Sequence, residues 1–325
     1  MGSLGDVVRA LCLPGAIKAH WPQARITWLV EPSCAELVAA HPLVDDTIIF
    51  DRPKKIKGLW ALYRKLSEEA FDLSLDLQRH LKSGFFGLLA GAPRRIGFHR
   101  GNAKELNWLF TTERIGWEGE QLPKLDHYLK FLQYLEIPIP SRLDFGLGPA
   151  LADRRPGGLK PPYCALVLGS SWESKEWFVG GYLRLMRLLL RESGLQLVLI
   201  DVPAKQEQAR QLETDLRSLR VLNLVGRTGL RELAAVLQGA ELAIGPDCGS
   251  GHLAAAVGTP YISLFGPTSA RRTAPHGNLS LVCEAELACQ PCYQRACPHK
   301  DRRCMREIDP DRVFALALET LGRRS

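Results

Sequence analysis

The sequence predicts an α/β protein built from two open, parallel-sheet units of Rossmann type. Three observations carry that expectation. In the second half of the chain, short apolar runs alternate with longer amphipathic runs, the pattern of βα units laid on a parallel sheet. The glycine-rich stretch Gly245-Pro246-Asp247-Cys248-Gly249-Ser250-Gly251-His252-Leu253 falls between an apolar strand and a helical run. That places a turn at the carboxyl end of such a sheet, where open α/β sheets bind ligands. A Pro- and Gly-rich stretch from Pro138 to Pro162 interrupts the pattern and divides the chain into expected domains of residues 1–150 and 151–325.

Taken in order, the chain opens on a glycine turn, Gly2 to Asp6. An apolar helical run follows through Val7, Val8, Leu11, Cys12 and Ile17, and Pro14 is expected to kink or end its first part. Ile26–Val30 and Thr47–Phe50 read as strands around a short helix that ends at His41-Pro42. His20 and His41 each precede an aromatic or proline turn and read as structural. Lys54, Lys55 and Lys57 begin a basic amphipathic helix carrying Leu59, Leu62 and Leu66. Its polar face is either solvated or turned to a membrane surface. Leu73–Leu77 alternates as a strand, residues 81–90 form a helix, and Arg94 to Arg100 make a basic strand and loop. Asp126 leads a helix through Leu135.

The second half continues with strands at 165–168, 197–200, 221–224, 241–244 and 261–265. Helices fall at 180–191, 204–216 and 230–237, with a short one over Leu253–Val257 that stops at Gly258. Residues 313–321 close the chain as an amphipathic helix.

With 325 residues the chain can bury two ordinary cores. It is 46% hydrophobic and 24% charged, an ordinary globular balance. No apolar run reaches transmembrane length and the first residues lack a signal-peptide core, so a cytosolic setting is expected. The net charge of +7 points to an anionic partner. No zinc-finger spacing or helical basic region is present, which argues against nucleic acid. Nine cysteines in a cytosolic protein point to thiols or metal rather than disulfides.

Three stretches carry chemistry. The turn at residues 245–253 combines glycines that admit a bulky anion, a helix N-terminus that favours phosphate, and Asp247, which can accept from sugar hydroxyls. It can equally be a turn whose aspartate caps the helix. Gly169-Ser170-Ser171-Trp172-Glu173-Ser174-Lys175-Glu176-Trp177 follows an apolar strand. There Ser170 and Ser171 suit a diphosphate and Lys175 offsets its charge, unless this is simply a polar loop over Trp177. Cys289, Cys292, Cys297 and Cys304 gather in one loop-rich stretch. A zinc site is conceivable, but the uneven spacing favours a packed thiol-rich loop, and no metal is expected.

These residues also carry a resemblance. The order Gly-Pro-Asp-x-Gly-x-x-His-Leu-Ala-Ala-Ala-x-Gly-Thr-Pro, then Leu-Phe-Gly-Pro-Thr ending at Thr268, resembles the sugar-nucleotide signature of glycosyltransferase family 9, which includes the ADP-heptose:lipopolysaccharide heptosyltransferases. Cys248 stands where Thr or Ser is usual, and Gly251 where Ser is frequent. The Gly169–Trp177 element, Asp76–Gln78, the later Arg-Ile-Gly-Phe and the Cys-rich segment also resemble family landmarks.

The resemblance implies GT-B architecture, two Rossmann-like domains facing a cleft. It implies inverting transfer of heptose from ADP-heptose to the lipopolysaccharide inner core, with no cofactor or catalytic metal, by a cytoplasmic enzyme peripheral to the inner membrane. Asp6 falls on the position of the general base, although an N-cap role accounts for it equally. Donor binding is assigned to Ser170, Ser171, Lys175, Asp247, Gly249, Gly251 and His252, with Lys175 also serving catalysis. Glu207 resembles a ribose-contacting acid, or is a solvated helix carboxylate. Arg94, Arg95, Arg100 and Lys104 are expected to meet the anionic acceptor.

In the family the Gly2–Asp6 turn follows a buried strand, so the reading frame is expected to extend upstream and encode one. Two rivals stand beside this reading: a transferase using another nucleotide sugar, and a nucleotide-sugar-binding protein without transfer activity.

Overall fold

The computed structural model describes residues 2–51, 55–117, 119, 121–148, 151 and 154–322, with the side chains of 55–59 left aside. Lys54, and the side chains of Lys55, Lys57 and Leu59, therefore lie outside the described residues. The chain divides into two compact units, Met1–Gly146 and Leu147–Ser325, four residues ahead of the division expected from composition.

The second unit holds six parallel strands: β6 (Tyr163–Val167), β7 (Gln196–Ile200), β8 (Val221–Asn223), β9 (Leu242–Pro246), β10 (Tyr261–Phe265) and β11 (Val282–Glu284), labelled after the five of the first unit. Their spatial order is β11-β10-β9-β6-β7-β8, the doubly wound order with the first strand in the middle. Every residue of β6, β7, β9 and β10 is buried. Strands covered on both faces read as continuous apolar runs, as these do.

Helices α7 (Val179–Glu192), α8 (Gln206–Leu216), α9 (Leu230–Gln238), α10 (Gly249–Ala256), α11 (Ala270–Thr273), α12 (Arg303–Arg306) and α13 (Pro310–Gly322) connect and cover the sheet. Tyr182, Leu185, Met186 and Leu189 recur at helical spacing on α7 and are completely buried, joining a core with Leu166, Leu197 and Ile244. Each such side chain contributes about 1.5–3 kcal/mol by leaving water. Helix α10 begins at Gly249, four residues earlier than the sequence suggests, because its first turn is built from the glycine-rich motif itself.

The first unit contains α1 (Leu4–Ala10), α2 (Leu13–His20), β1 (Thr27–Val30), α3 (Pro32–Ala39), β2 (Asp46–Ile49), α4 (Lys55–Ser67), β3 (Leu73–Leu75), α5 (Leu81–Leu89), β4 (Arg94–Gly97), β5 (Glu113–Arg114) and α6 (Lys124–Tyr134). Pro14 sits in the first turn of α2, where its missing N–H costs nothing, and the helical run breaks just before it. Ser3, not Asp6, is the N-cap of α1: the Ser3 hydroxyl accepts from the Asp6 N–H, which leaves the Asp6 side chain in the first turn. The N-cap alternative for Asp6 is thereby corrected. The edge strands β5 and β11, of two and three residues, are too short to show a period and were not anticipated.

Among the described residues all pairings in this unit are parallel, and they form two sheets, β1-β2 and β3-β4-β5. Between them lies a cavity of about 780 Å3. Residues of β1 and β3 line it, and they are half-buried except for Val30.

Candidate active site

The site in the second unit grows from the middle of its sheet. Strands β6 and β9 are neighbours whose following segments lead to opposite sides, so their carboxyl ends mark the switch point of the fold. Residues 168–177 leave β6 there, and residues 247–251 leave β9. Gly169 donates its N–H to Asp201 Oδ2 at 2.6 Å. A Cβ on Gly169 would lie 2.5 Å from Lys205 Cε, so a larger residue there would displace the lysine side chain. Lys205 in turn pairs with Glu176 at 2.6 Å. Burial raises the pKa of Asp201 despite the N–H groups of Val202 and Gly169 and the charge of Lys205.

The centre of the site is an ion pair. Lys175 Nζ lies 2.6 Å from Asp247 Oδ2, with both side chains largely buried. Thr268 Oγ1 and Thr273 Oγ1 donate to the same oxygen at 2.7 and 3.2 Å. The carboxylate expected to face sugar hydroxyls therefore holds the lysine. Lys175 Nζ also sits 4.5 Å from the centroid of Trp172, a cation–π contact. Ser170 Oγ donates to the Asp247 carbonyl at 3.1 Å, while Ser171 is exposed.

The N-terminus of α10 supplies the other half. The Gly251 N–H turns to the Cys248 sulfur, which leaves the first-turn N–H groups of Gly249 and Ser250 to face an anion. Gly251 has a packing reason of its own: a Cβ there would meet the Tyr261 ring at 2.6 Å. Tyr261 Oη donates to the Pro246 carbonyl at 2.9 Å and contacts Cys248 Sγ at 3.5 Å, fixing the turn from beneath. His252 is buried on the same helix. Glu207 stands apart, its side chain in solvent and 3.7 Å from Arg210.

The Cys-rich segment straps both loops of this site. Gln290 Nε2 donates to the Gly266 carbonyl, and the Tyr293 N–H to that of Pro267. On the other loop, Ser174 donates its N–H to the Arg295 carbonyl and its hydroxyl to that of Gln294. Burial, with three neighbouring thiols adding to it, pushes the Cys304 thiol up to about 11. Among the described residues no group of three or more His, Cys, Asp or Glu is poised to hold a metal ion.

In the first unit Asp6 is surrounded by donors. Arg9 Nη1 lies 2.9 Å from Oδ1, Lys124 Nζ 3.6 Å and Tyr128 Oη 3.4 Å, and Ser3 Oγ donates to Oδ2 at 2.8 Å. Burial works to raise the Asp6 pKa, but Lys124, Arg9 and Ser3 together outweigh it and hold the carboxyl below the ordinary aspartate value. The same donors keep the Asp6 carboxylate ionised at neutral pH.

The four basic residues expected at an acceptor do not gather. Arg94 and Arg95 stand at the amino end of β4. The Arg94 fork is bound to Glu113 at 2.8 and 2.9 Å, and Arg95 donates to the Phe110 and Ala92 carbonyls. Both guanidinium groups are thus engaged within the first unit, at the end of the sheet opposite to where parallel sheets bind ligands. Arg100, stacked 5.9 Å over Trp108, and Lys104 follow the carboxyl end.

The model of glycosyltransferase family 9 (heptosyltransferase) matches residues 59–302. The chain belongs to glycosyltransferase family 9. It is 31% identical to the lipopolysaccharide heptosyltransferase 1 of Pseudomonas aeruginosa over 98% of this chain and 97% of that protein. It is 28% identical to the lipopolysaccharide core heptosyltransferase OpsX of Haemophilus influenzae over 87% of this chain and 82% of that one.

The fold is similar to that of two Escherichia coli GT-B proteins. These are ADP-heptose lps heptosyltransferase II (TM-score 0.78, 21% identity, 100% and 97% covered) and heptosyltransferase WaaC with ADP (TM-score 0.82, 20% identity, 98% of each covered). For this family 9 enzyme, sequence reasoning missed Asp201, Lys205, Glu176 and Thr273 around Gly169 and the Lys175–Asp247 pair, and Arg9, Lys124 and Tyr128 around Asp6. Asp201 was within reach, since it directly follows the apolar strand ending at Ile200. The others come from elements remote in sequence.

Proposed function

We propose that this chain transfers heptose, with inversion, from ADP-heptose to the inner core of lipopolysaccharide. The observation that carries the reading is the Lys175–Asp247 pair, set at the switch point beside the N-terminus of α10 in a family 9 chain. The names of the relatives support the donor and acceptor, and a homologous structure holds ADP-2-deoxy-2-fluoro heptose.

In this mechanism an acceptor hydroxyl attacks the anomeric carbon while Asp6 takes its proton. The bond from that carbon to the diphosphate oxygen breaks, and the electron pair leaves with ADP. Lys175, the hydroxyls of Ser170 and Ser171 and the α10 amides meet the charge that develops on the diphosphate. Gly249, Gly251 and His252 shape that turn, and Arg100 and Lys104 offer positive charge to acceptor phosphates. Glu207 is kept as a ribose contact that would require its solvated carboxylate to turn inward on binding.

The enzyme works in the cytoplasm at the inner membrane face. Exposed Trp60 and Tyr63 on α4, with Arg64 beside Trp60, support that contact. No helix of the described residues is long and apolar enough to cross a membrane. The deciding experiment is mass spectrometry of products from ADP-heptose and a panel of truncated lipopolysaccharide cores. Addition of one heptose to a core lacking it is expected. Transfer only from another nucleotide sugar, or donor binding with no transfer to any core, overturns the reading.

A further inference from the structure

The loop that leaves β6 carries two adjacent residues of opposite charge, and they turn to the loops on either flank. Strand β6 lies between β9 and β7. Lys175 Nζ reaches Asp247 Oδ2, in the loop after β9, at 2.6 Å. Glu176 Oε1 receives Lys205 Nζ, from the loop after β7, also at 2.6 Å. Arg302 adds a second cation 3.9 Å from Glu176 Oε2 and donates to the Glu173 carbonyl at 3.0 Å.

A carboxylate beside this lysine has an electrostatic cost. Lys175 is placed to meet a diphosphate, and a negative charge one residue away repels the same ligand. The Glu176 side chain is only 18% exposed, so solvent screens that repulsion weakly. What Glu176 gives in return is visible in the turn before it.

Lys175 ends a three-residue 3-10 turn, Glu173–Lys175, closed by the Lys175 and Glu176 N–H groups on the carbonyls of Trp172 and Glu173. Such turns have poor hydrogen-bond geometry and hold their shape weakly. Two anchors flank the charged pair. Ser174 is buried and its hydroxyl donates to the Gln294 carbonyl at 2.6 Å. Trp177 is buried edge-on to Tyr182, with ring centroids 5.0 Å apart. Between these anchors the two ion pairs pull the chain to opposite flanks. Lys205 is itself held in place, its stem packed over Gly169, where a Cβ would meet Cε at 2.5 Å and Cγ at 3.2 Å. Buried pairs add little net stability, and fixing one geometry is their best-attested use.

We propose that Glu176 is a positioning residue for Lys175. Anchored on Lys205, it sets the turn at residues 173–175 and so aims the Lys175 ammonium at Asp247 and at the diphosphate of the donor. The diphosphate rests on the function proposed above, whereas the aiming of Lys175 at Asp247 does not.

Two measurements separate positioning from plain charge, because the two give opposite signs. In calorimetric titration with ADP, Glu176→Gln keeps the shape of the side chain but removes a repelling charge, which by charge alone tightens binding. Positioning weakens it instead, by about tenfold, and the loss should shrink to about twofold or less in a Lys175→Ala background, since residues that act through one another are not additive. The second measurement uses the chain without nucleotide: acylation of the Lys175 amine by an N-hydroxysuccinimide ester, read by mass spectrometry. Lys205→Met breaks the pair from its other end and removes a neighbouring cation, which by charge alone slows acylation. Positioning makes acylation about tenfold faster, because an amine that leaves Asp247 loses the partner that keeps it protonated. Equal or tighter ADP binding in Glu176→Gln would overturn the proposal, as would an equal loss with and without Lys175, or equal or slower acylation in Lys205→Met. A wild-type chain that binds no ADP would count against the donor reading, and the acylation rates would then decide the positioning by themselves.

Discussion

Lys175 Nζ lies 2.6 Å from Asp247 Oδ2, an ion pair linking the loop after β6 to the loop after β9. Thr268 and Thr273 hold the same oxygen, so the carboxylate is fixed first and the ammonium is aimed by it. Lys175→Ala should weaken ADP-sugar binding and slow transfer, because a charge-assisted contact worth about 1.5–3 kcal/mol disappears. It also leaves a buried carboxylate without its cation, so the melting temperature should fall as well. Calorimetric donor titration together with turnover checks this. Unchanged affinity in a folded variant would remove Lys175 from the site.

Asp6→Asn should cut the rate of transfer by about 100- to 10,000-fold, the usual contribution of a positioned general base. Ser3 provides the N-cap, so loss of the Asp6 charge does not uncap α1. Donor affinity should hold, while the melting temperature should fall, because Arg9 and Lys124 lose the carboxylate they hold. Near-normal turnover would move the base elsewhere.

Asp6 and Asp201 should titrate on opposite sides of the ordinary aspartate value of 3.8. Burial acts to raise both, and at Asp6 the two cations and Ser3 overcome it. A depressed acid contributes stability above its unfolded pKa, and that contribution is lost as pH falls through its folded value. A raised acid does the reverse, adding stability as pH falls through its raised folded value. Carboxyl carbon resonances followed by NMR across acidic pH give both midpoints, and the reverse order would contradict this account.

Gly251→Ala should destabilise the second unit by about 1–3 kcal/mol, the range for overpacking a filled interior. The added methyl meets the buried Tyr261 ring, whose hydroxyl is tied to the Pro246 carbonyl. Relief of the clash shifts the first turn of α10, so donor affinity should fall together with the melting temperature. Wild-type values for both would show that the ring yields freely.

Elemental analysis should find substoichiometric metal on the segment carrying Cys289, Cys292, Cys297 and Cys304, and activity should survive chelator. Its polar contacts to Gly266, Pro267 and Ser174 give the strap a structural role without an ion. One tightly held metal per chain, lost together with the fold, would reverse that expectation.

The sequence by itself determined the βα succession, the Pro- and Gly-rich break between Pro138 and Pro162 and the motif at residues 245–253. Apolar periodicity and glycine placement are local properties, and they carry over into α7 and β9, while α10 starts earlier because its first turn is the glycine motif itself. It also singled out Lys175 and Asp247, because each follows a strand at a carboxyl end. Only the tertiary structure decided that the two residues bind one another across 72 positions of chain, that Thr273 joins them, and that Arg94 and Arg95 are occupied by Glu113 and by backbone carbonyls. It decided likewise that the described strands of the first unit fall into two sheets with a cavity between β1 and β3. The physical reason is common to all of these: hydrogen-bond partners, sheet order and cavities depend on which distant segments become neighbours, and no local period encodes that.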